Sequence, residues 1–372
     1  MADNISYLYL EDGTVFEGEG FGSCAVRAGE LAFTTSMNGY PESLTDPSYA
    51  GQALIITHPL VGNYGVPHKK YDSGILSTFE SENIHVTSLM VSELTSSSKW
   101  NSRLDLDDWL KEEGVPGISG VDTRLLTKKV REMGAMMCVV STDGKVSDVG
   151  KAIGEKYTEI NFVDKVSPKE PIVQERNNRN VVVVDCGVKH GILKSIAALG
   201  YNVVRVPYNY TADQIMQFSP LGIVYSNGPG NPNMLGPVVD SMRGILEYKL
   251  PVFGICLGHQ IAAIALGGSV RKMKFGHRAI NKAAVDMISR KAYITSHNHG
   301  YAVFGDGVPE EGKAWFMSPD DGVVEGIMYK DRNMITTQFH PEGLPGTNDA
   351  AFIFGMFDRM IKEGREGAWN GK

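Results

Sequence analysis

No stretch of about 20 consecutive apolar residues occurs in the chain, so no membrane-spanning helix is encoded. The opening MADNISYLYLEDG lacks the basic start and apolar core of a secretion signal, and the expectation is a cytoplasmic protein. There is no G-x-x-x-x-G-K-[ST], so the chain carries no Walker-type nucleotide loop; any ATP used with it must be bound by another chain. Gly18-Glu19-Gly20-Phe21-Gly22 is not a dinucleotide fingerprint and follows a hairpin instead of opening a helix. The four cysteines, Cys24, Cys138, Cys186 and Cys256, are scattered and form no C-x-x-C pair, which excludes a disulfide framework and leaves them as reduced thiols. Lys and Arg number 36 against 43 Asp and Glu, and the net charge of -7 argues against a nucleic-acid binder.

What is present is the composition of a soluble globular protein, 42% hydrophobic and 21% charged, in 372 residues that leave room for two or three domains. From Tyr7 to about Ser141 the pattern is of short alternating strands and turns: Tyr7 to Leu10, an Asp12-Gly13 hairpin turn, then Thr14 to Glu17. Helices are expected at Leu106 to Glu113 and Thr123 to Met133. Residues 142–179 are polar and read as a linker, most clearly at Lys165 to Pro171. Beyond them the period changes. Val181 to Val184, Asn202 to Val206, Ile223 to Tyr225 and Val252 to Ile255 read as strands alternating with helices at about Lys189 to Leu199, Ala212 to Phe218 and Pro237 to Tyr248. The expected organisation is α/β: an N-terminal mixed β-rich domain over 1–141, a linker over 142–179, and an open parallel-sheet domain over 180–372.

Cys256 lies in Phe253-Gly254-Ile255-Cys256-Leu257-Gly258-His259-Gln260, between an apolar strand and a helix expected over Leu257 to Leu266. At a helix N-terminus, unpaired N–H groups and the helix dipole favour thiolate over thiol. Gly254 and Gly258 remove side chains where strand, turn and helix crowd together, and the Leu257 N–H is placed to meet an oxyanion. Taken alone, G-x-C-x-G fits an inert core cysteine as well. Further on, Met334 to Phe339 reads as a strand, and Pro341 holds His340 out of the helical region. His340 and Glu342, two apart in extended chain, then share a face, so the carboxylate can orient the imidazole. A thiol, a base and an orienting acid describe covalent acyl transfer. A third element, Gly222 to Pro232, is an apolar strand running into Ser226-Asn227-Gly228-Pro229-Gly230, whose backbone could complete an oxyanion hole at the carboxyl edge of the sheet.

In this order G-I-C-L-G-H-Q, S-N-G-P-G-N-P and Q-F-H-P-E resemble class I glutamine amidotransferases, in which a Cys-His-Glu triad hydrolyses glutamine to glutamate and ammonia. Leu10 to Thr14, Thr35 to Tyr40, Leu44 to Tyr49, Gly62 to Gly65, Gly120 to Arg124, Lys274 to Arg278 and Asn298 to Tyr301 resemble the small, glutamine-hydrolysing subunits of carbamoyl-phosphate synthases, and the likeness runs from Leu8 to about Lys362. The resemblance implies Cys256 as nucleophile, His340 as general base and acid, and Glu342 as its orienter. It implies Gly228, Gly230 and Leu257 around the glutamine carbonyl, with Ser48, Gln260, Asn298, Gly300 and Tyr301 holding the rest of L-glutamine. It further implies a large synthetase subunit that binds ATP and Mg, ammonia passing to it through a tunnel, carbamoyl phosphate for pyrimidine and arginine synthesis, and no cofactor in this chain.

The chain departs from the family pattern at His297, where glutamine is frequent; a regular strand turns that side chain away from the substrate. Ala279 to Ala283 and Gly343 to Gly346 also differ, which touches loop conformation and leaves the triad intact. His297 and His299 share a strand face, but the sequence brings no acidic or thiol ligand to them, and no metal site is expected. Two other readings stay open from residues alone: an amidotransferase serving guanine nucleotide or anthranilate synthesis, against which the N-terminal segments argue, and a silent scaffold subunit, against which Cys256, His340 and Glu342 argue.

Overall fold

In the computed structural model, which describes residues 5–175 and 177–367, the chain divides after Ile160 into two units with separate cores. The first is built on seven strands: β1 (Ile5–Leu10), β2 (Val15–Gly22), β3 (Val26–Thr34), β4 (Gln52–Ile56), β5 (Ser88–Met90), β6 (Pro116–Ser119) and β7 (Met137–Ser141). They close a barrel in the order β1-β7-β3-β4-β5-β6-β2. The β1–β2 hairpin turns where Asp12-Gly13 predicts it: Leu10 N–H donates to the Thr14 carbonyl at 2.8 Å, and Gly13 takes φ 86°, a left-handed conformation that glycine accepts without strain. Closure leaves no unpaired strand edge within the barrel. The helices at Leu106–Glu112 and Thr123–Met133 agree with the sequence reading to within a residue.

The second unit holds a ten-stranded sheet. Its strands are β8 (Ile172–Gln174), β9 (Asn180–Asp185), β10 (Asn202–Pro207), β11 (Gly222–Tyr225), β12 (Val252–Ile255), β13 (Arg271–Asp286), β14 (Ala292–Ala302), β15 (Lys313–Met317), β16 (Val324–Tyr329) and β17 (Met334–Thr337), in the spatial order β8-β10-β9-β11-β12-β17-β16-β15-β13-β14. Strands β10, β9, β11, β12 and β17 are mutually parallel, as the βαβ pattern predicts. Val181 to Val184 are all fully buried, as expected for a strand covered on both faces. The parallel-sheet expectation is corrected at the margins: β8 pairs antiparallel with β10, and β13 to β16 form an antiparallel arm beside β17. That arm joins its strands through turns and has no crossover helices, so nothing forces parallel pairing there.

Residues 142–179, read as a linker, carry ordered elements instead. A helix at Val149–Ile153 packs Ile153 with Tyr7, Tyr9 and Val139, whereas Val163, in a helix at Val163–Val166, joins the core of the second unit. Scattered apolar residues in a polar stretch gave too weak a period to reveal this.

The helix at Thr123–Met133 starts at Asp122, whose carboxylate accepts the Leu125 N–H at 2.8 Å and so satisfies one of the otherwise unpaired N–H groups of the first turn. Asp122→Ala is expected to destabilise the protein by ~0.5–2 kcal/mol. The check is the urea midpoint followed by far-UV circular dichroism; an unchanged midpoint would assign the cap no role.

Candidate active site

The parallel pairing of β12 with β17 brings the separate motifs together. Ile255 pairs with Thr337, and the Cys256 N–H donates to the Thr337 carbonyl at 2.7 Å. Gln338, His340 and Glu342 follow just beyond the strand, and His340 is tied to β14 by its N–H donating to the Ser296 carbonyl at 2.8 Å. The Cys256 thiol lies 3.8 Å from the Asn298 carbonyl and 3.6 Å from Gln338 Nε2.

Cys256 sits at φ 53°, ψ -96°, a left-handed conformation rare for a side chain with a Cβ, immediately before the helix Leu257–Ala265. The flanking glycines make this turn possible. A Cβ on Gly258 would lie 2.2 Å from the Tyr225 carbonyl oxygen, and one on Gly254 would lie 2.7 Å from the Gly258 carbonyl oxygen. Gly228 is equally confined, since its Cβ would meet the Cys186 carbonyl oxygen at 2.2 Å, and Gly230 takes φ 83°. Leu257, first residue of the helix, has no upstream helical carbonyl to receive its N–H. The other buried thiols, Cys138 and Cys186, are pushed up in pKa by burial, which keeps them protonated and unreactive.

His340 and Glu342 do meet, with Nδ1 2.7 Å from Glu342 Oε1, but residues 341–342 form a turn, with the Gly343 N–H donating to the His340 carbonyl at 3.3 Å, where the sequence reading expected extended chain. An ionised carboxylate only accepts, so Nδ1 carries the hydrogen and the neutral ring leaves Nε2 as its lone-pair nitrogen. Nε2 is buried and has no hydrogen-bond partner among the described residues. The sequence reading missed the third member of this group, Lys189. Its Nζ lies 2.8 Å from the same Glu342 oxygen and also donates to the Leu344 carbonyl, with only 2% of the side chain exposed. Burial raises the Glu342 pKa, but the Lys189 and His340 charges and hydrogen bonds outweigh it and hold the carboxyl at about 2. The signal was a lysine in the loop that follows the apolar β9 at the carboxyl edge of the sheet.

Around this group, Asn227 ties the Gly228–Gly230 turn to the loop before Lys189, accepting the Lys189 N–H at 3.0 Å and donating to the Gly187 carbonyl at 2.9 Å. Gln260 is buried, and its Nε2 donates to the Tyr301 carbonyl at 2.7 Å and to Gln338 Oε1 at 3.0 Å. Both hydrogens of that amide are therefore used within the protein, and only its oxygen is left to face a substrate. Gln338, also missed, is the residue that couples Gln260 to the thiol. Asn298, Gly300 and Tyr301 lie on β14, with Asn298 opposite Arg278 of β13. Ser48 belongs to the first unit, buried in the turn Pro47–Tyr49, where its N–H donates to the Asp46 carboxylate at 2.9 Å.

As expected of a regular strand, His297 and His299 alternate with Asn298. The expectation that no acid reaches them fails: β13 brings His277 and β16 brings Glu325, and the four donor atoms lie within 4.8 Å of one another. Glu325 sits on a strand distant in sequence, in a segment with no motif to announce it.

Cys256 stands at the carboxyl edge of a mainly parallel core, at the end of the strand paired with the one that leads to His340 and Glu342, and residues 182–360 match the glutamine amidotransferase class-I family, which makes the second unit an amidotransferase domain. Residues 8–140 match the CPSase domain of the carbamoyl-phosphate synthase small chain. A carbamoyl phosphate synthase small chain from Metallosphaera sedula is 56% identical over 355 residues, covering 95% of each chain. One from Sulfolobus acidocaldarius is 55% identical over 96% of this chain and 97% of its own. One from Pyrococcus furiosus is 46% identical over 97% of this chain and 98% of its own. The chain belongs to the carbamoyl-phosphate synthase small-chain family.

Glu342 is more acidic folded than its ordinary value of 4.5, so it stabilises the fold above that pH and the stabilisation fades as pH falls toward about 2. Lys189→Met removes the strongest opposing charge. The expected outcome is a loss of ~3–5 kcal/mol at pH 7, as for a broken buried pair, with the gap to the unaltered protein narrowing below about pH 4.5. Urea unfolding at a series of pH values measures it, and a pH-independent gap would rule out this role for the pair.

Proposed function

We propose that the chain hydrolyses L-glutamine to glutamate and ammonia and serves as the small subunit of a carbamoyl-phosphate synthase. The observation that carries this is the buried Lys189–Glu342–His340 relay, which leaves His340 Nε2 without a partner among the described residues, just beyond the strand whose pairing ends at Cys256. Membership of the family supplies the substrate. No helix among the described residues is long and apolar enough to cross a membrane, which accords with action in the cytoplasm.

The reaction has two halves. His340 Nε2 takes the thiol proton as Cys256 Sγ attacks the side-chain amide carbon of glutamine, and the carbonyl oxygen becomes an oxyanion held by the Leu257 N–H and by backbone of the Gly228–Gly230 turn. The imidazolium gives its proton to the amide nitrogen, the C–N bond breaks, ammonia departs, and a glutamyl thioester remains. His340 then deprotonates water, which attacks the thioester, and the thiol takes back its proton as glutamate leaves. Each well-placed oxyanion donor contributes ~10²–10³ in rate. Asn298, Gly300 and Tyr301 hold the amino-acid end of the substrate, while Gln260 acts through its remaining amide oxygen and through the wall it forms with Gln338.

Hydrolysis of this kind needs no cofactor in this chain, and the ATP and Mg of carbamoyl phosphate formation belong to the large subunit. Ammonia must reach that subunit unprotonated, since ammonium has no lone pair to attack with; an enclosed path through a large interface involving the barrel unit meets this need. The product feeds pyrimidine and arginine synthesis.

Cys256→Ser is expected to lower glutamate release by ~10³-fold or more while leaving the fold intact. Glutamate measured with and without the large subunit completes the test: release should speed up in the complex. Unimpaired hydrolysis by Cys256→Ser would overturn the assignment.

A further inference from the structure

We propose that His277, His297, His299 and Glu325 form a closed, four-ligand site for a divalent transition-metal ion of the zinc class, on the reverse face of the strand that carries Asn298. The four side chains come from three strands, β13, β14 and β16, and each is 6% exposed or less.

The four donor atoms converge on one small volume, all within 4.8 Å of one another. His277 Nδ1 is 3.5 Å from Glu325 Oε1, His297 Nδ1 is 3.5 Å from Glu325 Oε2, and His297 Nδ1 is 3.5 Å from His299 Nε2. Those separations are too long for good hydrogen bonds. Four ligands at about 2.0–2.1 Å from one ion in a tetrahedron lie about 3.3–3.4 Å apart, so the 3.5 Å separations already approach that spacing and the others, all within 4.8 Å, close on a metal by side-chain shifts on the order of 1 Å.

Two further observations point to a ligand. Both Glu325 oxygens and His277 Nδ1 are buried without a hydrogen-bond partner among the described residues. A carboxylate in this position is strongly disfavoured unless something satisfies it. In addition, the outward nitrogen of every ring is held: His277 Nε2 lies 2.8 Å from Asp321 Oδ2, His297 Nε2 lies 2.7 Å from Thr295 Oγ1, and His299 Nδ1 lies 2.9 Å from the Tyr301 carbonyl. Metal-binding imidazoles are oriented in this way, with the second nitrogen fixed by a carboxylate, hydroxyl or carbonyl. Three nitrogens and one carboxylate suit zinc and its neighbours better than calcium or magnesium, which prefer all-oxygen shells. Asp321, 37% exposed and bonded to His277, marks the side from which an ion can enter. With all four positions filled by protein, the ion would brace β13, β14 and β16 together and take no part in the chemistry at Cys256.

The test is metal content by mass spectrometry of full-length protein dialysed free of loose ions, together with the visible spectrum after reconstitution with cobalt(II). The expected result is about one zinc-class ion per chain, a four-coordinate cobalt spectrum, and loss of both in His299→Ala and Glu325→Gln. Chelation should also lower Tm. Retention of no divalent metal, or a cobalt spectrum matching the free six-coordinate ion, overturns the proposal, and so does full metal content in folded His299→Ala. The wild-type spectrum decides even where the variants fail to fold, and His297→Gln, the milder change, should weaken cobalt affinity ~10-fold or more.

Discussion

Everything at the candidate site hangs from the parallel pairing of β12 with β17. The bond from the Cys256 N–H to the Thr337 carbonyl ends that pairing, and at this point one chain turns sharply into a helix while the other continues toward His340. The turn has no slack. Gly254, Gly258 and Gly228 each occupy places where a Cβ would strike backbone, so thiol, Gly228–Gly230 turn and sheet edge are locked by main-chain contact, with little left to side-chain packing. The left-handed Cys256 is the local strain that this closeness imposes, and a surrounding core buried almost without exposure keeps it from relaxing.

Burying a carboxylate beside an imidazole works only because a third charge accompanies them. Desolvation alone would drive Glu342 to accept a proton, and a protonated acid would no longer fix which nitrogen of His340 carries hydrogen. Lys189 reverses this by meeting the same oxygen from another loop. The pair is weak evidence for stability, since desolvation offsets much of its attraction. Its value lies in orientation: with the carboxylate ionised, His340 has one tautomer and one free lone pair.

The legible parts of the molecule were those with a strong local code. Val181 to Val184 and Val252 to Ile255 declared buried parallel strands through unbroken apolar runs, and the Asp12-Gly13 turn declared its hairpin. Cys256 announced itself through the flanking glycines, and His340 with Glu342 through their closeness in sequence, although a turn at residues 341–342 and not extended chain brings them together. What could not be read was pairing at a distance. Lys189, Gln338 and Glu325 carry no motif, and each acquires its role only because strand order places it against residues far along the chain. The antiparallel arm escaped for the same reason, because its alternation fits either pairing direction and only the finished sheet chooses.

The two faces of β14 show how one strand can serve two chemistries without confusion. Imidazoles on β14, the strand whose Asn298 carbonyl meets the Cys256 thiol, would offer competing sites for a proton if they were free to titrate near neutrality. His297 and His299 are buried completely, and burial together with neighbouring positive groups holds both far below the ordinary histidine range. They therefore remain neutral, whereas His340 is oriented by the ionised Glu342. Neutral imidazole is also the form that binds a metal ion, so the condition that silences these residues as bases is the one that suits them as ligands. Strand alternation then does the rest: His297 and His299 project from the face opposite to Asn298, while the Asn298 backbone carbonyl stays 3.8 Å from the Cys256 thiol.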